Sequence, residues 1–292
     1  MVNFYKSSTQ TTNFKPLVNL LGVGDGTEII QYELGQNSMF FINPSLDPET
    51  YEFYYIVKGQ IEFQDNIYNQ YDYFDIKHTT ENYGLKALED TVLLFISSNT
   101  GEYEKANNFN DVLTEKLESI QVKDHYTFEH CRRVKRLVIE IGQFMNLKDS
   151  DLKTLTLAAY CHDVGKIKIS NDILNKSDKL TNEEYSTMKK HVTHSFDIVK
   201  DSIDEEVADL LILHHERLDG SGYPKGLKDK EIPLLGRILA VADSFDAMTT
   251  DRVYKKGKDT ETALTELHDL SHQYDIEIVK ILDKIIHKKS SL

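Results

Sequence analysis

The chain has 292 residues, of which 28% are charged and 40% hydrophobic, and a formal net charge of −14 at pH 7. This composition is typical of a globular protein, and the acidity argues against nucleic-acid polymers and anionic membrane surfaces as partners. No apolar run approaches the roughly 18 residues of a membrane-spanning helix, and the opening "MVNFYKSSTQ" lacks a secretory signal. We therefore expect a cytoplasmic protein. Cys131 and Cys161 lack CxxC spacing and are expected to be reduced and buried.

Residues 1–104 have the pattern of an all-β domain. The segment "FYYIVKGQIEFQ" predicts a β-hairpin, and "DTVLLFISS" predicts a buried strand. Strand-like runs alternate with turn-rich pieces such as "GVGDGTE" and "TTENYG", which favours a small barrel or sandwich.

This domain resembles a cupin barrel, because Glu52 is followed seven residues later by the hairpin glycine Gly59. Metal-binding cupins have an HxH motif before that glutamate, whereas this chain reads "SLDPET" and has His78 as the one histidine of the segment. The resemblance therefore implies a regulatory barrel that senses an unknown small ligand or dimerises the chain, without metal-dependent cupin chemistry.

The hydrophobic period changes at about residue 105. Apolar residues then recur at helical spacing, which predicts a linker helix over residues 105–124. These residues are Phe109, Val112, Leu113, Leu117 and Ile120. The helix could relay a signal or simply pack, and whether it pairs two chains into a homodimer is left open.

Residues 125–292 are expected to form an all-α domain. Its helices are predicted from "LKTLTLAAYCHD", "EEVADLLILHH", "GRILAVADSFDAM" and "YDIEIVKILDKIIHK", the last with Asp275 as N-cap. The predicted fold class is therefore α+β with two domains, an all-β barrel followed by a helical bundle.

Several histidines and carboxylates of the helical domain lie on the apolar faces of their helices. A single buried histidine is usually a hydrogen-bonded core residue, but this many buried polar groups would be costly to desolvate without a shared purpose. The residues are His130, His162, Asp163, His191, His214, His215 and Asp243.

A metal centre would supply that purpose. Imidazole nitrogens and carboxylate oxygens suit Fe, Mn and Zn, and the set exceeds what one ion takes. We therefore predict two divalent ions per chain, Fe or Mn first and Zn as a further candidate, with Asp163 able to bridge them. Two ions about 4 Å apart can lower the pKa of a shared water until a bridging hydroxide forms and attacks a phosphodiester in line.

The ordered motifs of this domain resemble the HD-GYP family of the HD superfamily, phosphodiesterases that open cyclic di-GMP. The resemblance covers about residues 120–290 and includes "YTFEHC", "HDVGK", "HVTHSFDIV", "HHE", "DGSGYP", "VADSFDA" and "DRVY". It implies an HD-GYP helical bundle in which one metal is held by His130, His162, Asp163 and Asp243. Asp163 then bridges to a second ion, which is completed by His191, His214 and His215.

The resemblance also implies roles beside the metals. Lys166, three residues after Asp163, is expected to contact phosphate or stabilise the leaving group, so these two are the predicted catalytic residues. Arg252 and Lys255 resemble a phosphate-binding pair, although they also fit an exposed basic turn. The glycines of "GSGYP" allow close approach to a ligand, and Tyr223 either shapes the nucleotide pocket or packs the loop onto the domain.

Some residues depart from the family pattern. A glycine is common where this chain has Ser195, which concerns packing rather than metal binding. Some members bind a third metal through a glutamate four residues before the first histidine, and Tyr126 occupies that position here. We therefore predict two metals.

The leading hypothesis is a metal-dependent phosphodiesterase that hydrolyses cyclic di-GMP to pGpG, with a further step to GMP left open. One alternative keeps the metals but takes another cyclic dinucleotide, such as cyclic GMP-AMP. The other is a non-catalytic cyclic-dinucleotide receptor, and the intact His162 and Asp163 argue against it.

Overall fold

The computed structural model describes residues 17–45, 47, 49–104, 116, 119–120, 122–176, 178–251 and 256–290. The chain divides into two units, Met1–Thr114 and Glu115–Leu292. An all-β first part and a helical second part are confirmed. The bounds at residues 104 and 124 stay predictions, because most of the predicted linker helix, including Phe109, Val112, Leu113 and Leu117, lies outside the described residues. In the described ranges, no helix is both long and apolar enough to cross a membrane.

The first unit consists of two antiparallel sheets. One has the strand order β1-β2-β9-β4-β7 and the other β3-β8-β5-β6. The strands are β1 Leu17–Gly24, β2 Thr27–Leu34, β3 Met39–Ile42, β4 Tyr51–Lys58, β5 Ile61–Phe63, β6 Asn66–Tyr68, β7 Tyr73–Lys77, β8 Tyr83–Ala87 and β9 Thr91–Ser97. Residues along β2 alternate between buried and half-buried, as expected of a strand with one face on the core.

The two sheets share one aromatic and aliphatic core. Phe74 of the first sheet stacks on Tyr54 at 4.8 Å and on Phe63 of the second sheet at 4.5 Å between ring centroids. The cupin resemblance and the sensing or dimerising role of this unit stay predictions.

The hairpin predicted from "FYYIVKGQIEFQ" is wrong. Strand β4 pairs with β7 and β9, whereas β5 pairs with β6 and β8 in the other sheet. The turn between them passes through Gly59, whose φ of 91° suits glycine, and carries the chain from one sheet to the other. The buried strand predicted from "DTVLLFISS" is confirmed as β9.

The second unit is helical. Its helices are α1 His125–Phe144, α2 Asp149–Cys161, α3 Asn171–Leu174, α4 Asn182–Lys189, α5 His191–Val199, α6 Glu205–Leu211, α7 Leu234–Thr249, α8 Thr260–Asp269 and α9 Ile276–Ser290. Short 3-10 turns occupy Val164–Lys168 and Asp229–Glu231.

Helix starts in this unit follow local capping chemistry. The Asp124 carboxylate accepts a hydrogen bond from the Tyr126 amide at the start of α1, and Thr181 forms a capping box with Glu184 at the start of α4. At the start of α9, Asp275 accepts from the Glu277 amide, as predicted. These caps fix where each helix begins.

The core of the helical unit lies mainly between α1, α2 and α7. Phe128 and Ile141 of α1, Leu155 of α2 and Leu239 of α7 are completely buried. Cys131 and Cys161 are buried free thiols, as predicted. The polar site described below is built into these same helices, so its geometry is set by core packing.

Candidate metal centre

His130 lies on the buried face of α1. Its side chain is 2% exposed, since Thr127 and Val134, three residues before it and four after it, are buried on the same face of the helix. The Nε2 atom lies 3.0 Å from Asp243 Oδ1 on α7, and Nδ1 lies 2.7 Å from Asp246 Oδ2 one turn further along α7. The imidazole is thus held between two carboxylates of a neighbouring helix.

Asp246 and Arg133 belong to the site although the sequence analysis did not single them out. The Arg133 guanidinium donates to both carboxylate oxygens of Asp246, at 2.7 and 3.0 Å. Burial raises the pKa of Asp246, but hydrogen bonds from His130 and Arg133 outweigh burial and hold the pKa below its usual range. Asp246 therefore orients His130 as an ionised acceptor, a role that partners of metal-binding histidines commonly have.

Asp246→Asn is expected to weaken metal affinity about 10- to 100-fold, because one amide oxygen cannot accept from both His130 and Arg133. Metal titration of the purified variant measures the effect. Asp209→Asn, on the exposed face of α6, is the matched control and should bind metal as the wild type does. Equal affinity in the two variants would contradict the orienting role.

His162 and Asp163 follow the last residue of α2. The His162 imidazole donates from Nδ1 to the Ala159 carbonyl at 2.8 Å, which turns Nε2 toward His130 Nε2 at 3.3 Å. Asp163 is 2% exposed, and its Oδ2 atom lies 3.5 Å from His162 Nε2 and 3.7 Å from His130 Nε2. These residues and Asp243 form a first group of candidate ligands, called the first ligand group below.

A second ligand group lies on the other side of Asp163. His191 opens α5 and donates from Nδ1 to the Met188 carbonyl at 2.7 Å, while His214 donates to the Leu211 carbonyl at 2.6 Å. Their Nε2 atoms lie 3.3 Å apart, and His191 Nε2 lies 3.3 Å from Asp163 Oδ1. His215 completes the group, with its ring centroid 4.2 Å from that of His214.

The histidines of the second group are neutral. Burial lowers the pKa of His191 to about 4 and that of His214 to about 3, and it holds the pKa of His215 well below its ordinary value. Because Nδ1 carries the proton in His191 and His214, each presents the Nε2 lone pair to the space beside Asp163. Neutral imidazoles with a free lone pair are the form that binds metal.

The two central carboxylates are ionised. Burial opposes ionisation of Asp163 and Asp243, yet the pKa of each carboxyl lies well below its usual range. Lys166 and then His162 lower the pKa of Asp163, while hydrogen bonds from His130 and His162 lower that of Asp243. The centre therefore offers buried negative charge beside the imidazole lone pairs of the second group.

This donor set fits divalent metal ions. In each of two groups, three candidate ligand atoms lie within 4.8 Å of one another: His130, His162 and Asp163, and His191, His214 and His215. The buried Asp163 Oδ1 atom has no hydrogen-bond partner in the part of the chain that the structure describes. A buried carboxylate oxygen without a partner is costly, and a cation between the groups would satisfy it.

Lys166 and Ser195 hold the segment that carries Asp163. Lys166 Nζ lies 2.5 Å from Asp163 Oδ2. The buried Ser195 hydroxyl donates to the His162 carbonyl at 2.6 Å and accepts from the Gly165 amide at 2.8 Å. A Cβ at Gly165 would overlap the His191 carbonyl, so glycine is needed where this segment approaches α5. Ser195, where the family commonly has glycine, therefore holds the segment that carries Asp163 through its hydroxyl group.

The loop after His215 forms a wall of a cleft of about 520 Å³ over the centre. Glu216, which is 1% exposed, accepts from the backbone amides of Lys225 and Leu227 at 2.7 and 2.9 Å, and so folds the loop back on itself. The Tyr223 ring packs on His215 at 4.7 Å between centroids and lines the cleft. Tyr223 therefore both packs the loop and faces the cleft.

Gly222→Ala is expected to displace this wall, because a Cβ would lie 2.5 Å from backbone atoms of His215, Glu216 and Arg217. We expect catalytic efficiency to fall about 10- to 100-fold through misplacement of the loop, with metal content unchanged. Steady-state kinetics and metal analysis, with exposed Lys225→Ala as control, measure this. Wild-type efficiency in Gly222→Ala would show that the wall does not position substrate.

Other predicted residues are placed as follows. Arg252 and Lys255 lie outside the described residues. Tyr126, at the position of the family's third-metal glutamate, lines the cleft with its ring inclined 7° to that of His130 and 6.1 Å from it. The chain therefore has a phenol ring at the sequence position where some family members have the glutamate that binds a third metal.

The sequence of this chain is similar to a known protein family and to several known proteins. The family model described as HD domain matches residues 117–278, and the chain belongs to this family. A protein of Thermotoga maritima named cyclic di-GMP phosphodiesterase is 40% identical over 216 residues, which cover 71% of this chain and 58% of that protein. A 3'3'-cGAMP-specific phosphodiesterase 3 of Vibrio cholerae is 35% identical, over 52% of this chain and 34% of its own length.

The matched part of the chain therefore spans less than two thirds of the length of either relative. Among solved structures, an HDG"Y"P protein of Bdellovibrio bacteriovorus, Bd1817, is 16% identical with a TM-score of 0.49, and covers 86% of this chain and 100% of its own. An RmlC-like cupin of Desulfovibrio desulfuricans is 14% identical with a TM-score of 0.26, over 32% of this chain and 95% of its own.

Proposed function

We propose that the helical unit is a metal-dependent phosphodiesterase of the HD-GYP type, which hydrolyses cyclic di-GMP to pGpG and then to GMP. The observation that carries the proposal is the position of Asp163, whose two carboxylate oxygens face separate histidine groups at the floor of a cleft. Such a centre suits attack of water on a phosphodiester rather than a purely structural role.

The residues that would hold two ions are those of the two ligand groups, with Asp163 shared between them and Asp243 on the first. Imidazole and carboxylate ligands are compatible with Fe, Mn and Zn, and Fe or Mn is the proposed pair of candidates. When bound, two such ions activate water and neutralise phosphate charge. Metal analysis of protein purified without chelator is expected to find two ions per chain; three would contradict this assignment.

Lys166 is the proposed phosphate ligand of the chain itself. Its ammonium group lies at the cleft beside Asp163, within reach of a phosphate oxygen held over the centre. A cation there stabilises the charge that develops on the phosphoryl and leaving oxygens. Arg252 and Lys255 are proposed as further phosphate contacts on the strength of the sequence resemblance.

The cleft also suits a substrate with planar rings. Tyr126, Tyr185 and Tyr223 line it, and the Tyr185 side chain is 50% exposed at the rim. Tyrosine rings beside a phosphate site can stack on nucleobases. The preference for cyclic di-GMP over cyclic GMP-AMP is supported by the higher identity to the Thermotoga protein than to the Vibrio one.

Assays with cyclic di-GMP and 3'3'-cGAMP side by side test the proposal. Protein loaded with Mn or Fe is expected to convert cyclic di-GMP to pGpG faster than it converts 3'3'-cGAMP. Faster turnover of 3'3'-cGAMP would reassign the substrate. No linear product from either, under conditions in which a known phosphodiesterase is active, would favour the receptor alternative.

A further inference from the structure

The position of Lys166 depends on a short backbone segment, His162–Ile169. Within it the Lys166 amide donates to the Asp163 carbonyl at 3.0 Å, and the Ile169 amide donates to the Lys166 carbonyl at 3.0 Å. These bonds form a 3-10 turn of five residues, Val164–Lys168. A turn of this length is weak by itself, so its placement depends on contacts from outside.

Ser195 on α5 supplies one such contact at the start of the segment. Its hydroxyl group bonds the His162 carbonyl and the Gly165 amide, and it is completely buried. This fixes the end of the segment at which Asp163 lies. The other end, beyond Lys166, needs a separate contact.

Lys123 supplies the contact at that other end. Its ammonium group donates to the Ile167 carbonyl and to the Ile169 carbonyl, each at 2.5 Å. These carbonyls lie where the 3-10 turn ends, and a cation there satisfies acceptors that have no partner inside the turn. Both sides of this contact are held in the core. Ile120, three residues before Lys123, and Ile169, one of the two carbonyl acceptors, are each 1% exposed.

We propose that Lys123 is a positioning residue for Lys166. This inference rests on the proposed function, because it takes Lys166 as the phosphate ligand. Lys123 does not line the cleft, so it acts by fixing the backbone on the far side of Lys166. Loss of its two hydrogen bonds frees the end of the turn and lets Lys166 Nζ leave its place beside Asp163.

The location of Lys123 gives this contact a second consequence. Lys123 directly precedes Asp124, the N-cap of α1, in the stretch through which the chain enters the helical unit. The contact therefore joins the entry to α1 to the backbone segment that carries Lys166.

The test compares Lys123→Met, Lys123→Arg and Val122→Ala in the full-length, Mn-loaded protein. Val122 is the matched control, because it is the neighbouring residue and is 90% exposed. Lys123→Met is expected to lower kcat for cyclic di-GMP about 10- to 100-fold with KM changed less than about threefold. Lys123→Arg, which keeps the charge and the donors, should recover most of kcat, and Val122→Ala should match the wild type.

Hydrogen exchange supplies a readout that does not depend on activity. In Lys123→Met the amides of Lys166 and Ile169 should exchange at least about 10-fold faster, while those of α5 stay protected. An inactive wild type would refute the proposed function yet leave this measurement to test the contact. Unchanged exchange with unchanged kcat would overturn the inference. So would a loss of kcat that Lys123→Arg does not reverse and that follows a fall in melting temperature.

Discussion

Asp163→Asn is expected to lower turnover of cyclic di-GMP at least about 10³-fold, which corresponds to about 4 kcal/mol of transition-state stabilisation. Asparagine keeps the shape of the side chain but has one oxygen and no charge. Asp163 Oδ1 faces His191 at 3.3 Å and Oδ2 faces His162 at 3.5 Å, so an amide cannot present an oxygen to both ligand groups. The variant should therefore also hold fewer than two metals per chain.

Turnover and metal content of Asp163→Asn are measured on the same preparation, with circular dichroism to check that the helices form. Asp172→Asn is a suitable control, because Asp172 is exposed on α3, nine residues further along the chain. It should retain wild-type turnover and metal content. An Asp163→Asn protein with two metals and near wild-type turnover would show that the carboxylate does not join the two groups.

His214→Ala is expected to remove one of the two metals and to lower turnover about 10²- to 10³-fold. His214 is completely buried and has Nε2 3.3 Å from His191 Nε2, so its loss leaves the second group with two imidazoles. The first group is built from α1, the end of α2 and α7, and its ligands stay in place. Loss of the metal beside Asp163 removes charge stabilisation at the reacting phosphate.

Metal content then separates the two groups. We expect one ion per chain in His214→Ala and two in the control His194→Ala, since His194 lies on α5 but in neither ligand group. Complete metal loss in His214→Ala would mean that the ions bind only as a pair. Retention of two ions would exclude His214 as a ligand.

Much of the candidate site could be predicted because its residues lie in short motifs with helical spacing. His130 and Asp243 lie on the buried faces of α1 and α7, and His162 and Asp163 directly follow the buried helix α2, so core packing brings them together. The sequence pattern predicts that His214 and His215 end a helix, whereas α6 ends at Leu211 and the two histidines lie in the turn that follows. The turn still directs His214 inward, because its Nδ1 donates to the Leu211 carbonyl.

The contacts that the sequence analysis missed are those that depend on tertiary placement. Asp246 follows Asp243 by one helical turn, so a second inward carboxylate on α7 was a signal that could have been used. Ser195 and Lys123 are different, because they bind backbone carbonyls and amides, which carry no residue-type pattern. The hairpin error at Gly59 has the same origin, since a local turn does not reveal which distant strand β4 pairs with.

Anomalous diffraction at the Mn, Fe and Zn edges, from crystals of protein purified without chelator, tests the two-metal centre most directly. We expect two peaks about 4 Å apart, with Asp163 between them. One should lie beside His130, His162 and Asp243 and the other beside His191, His214 and His215. A single peak, or a third peak beside Tyr126, would contradict it.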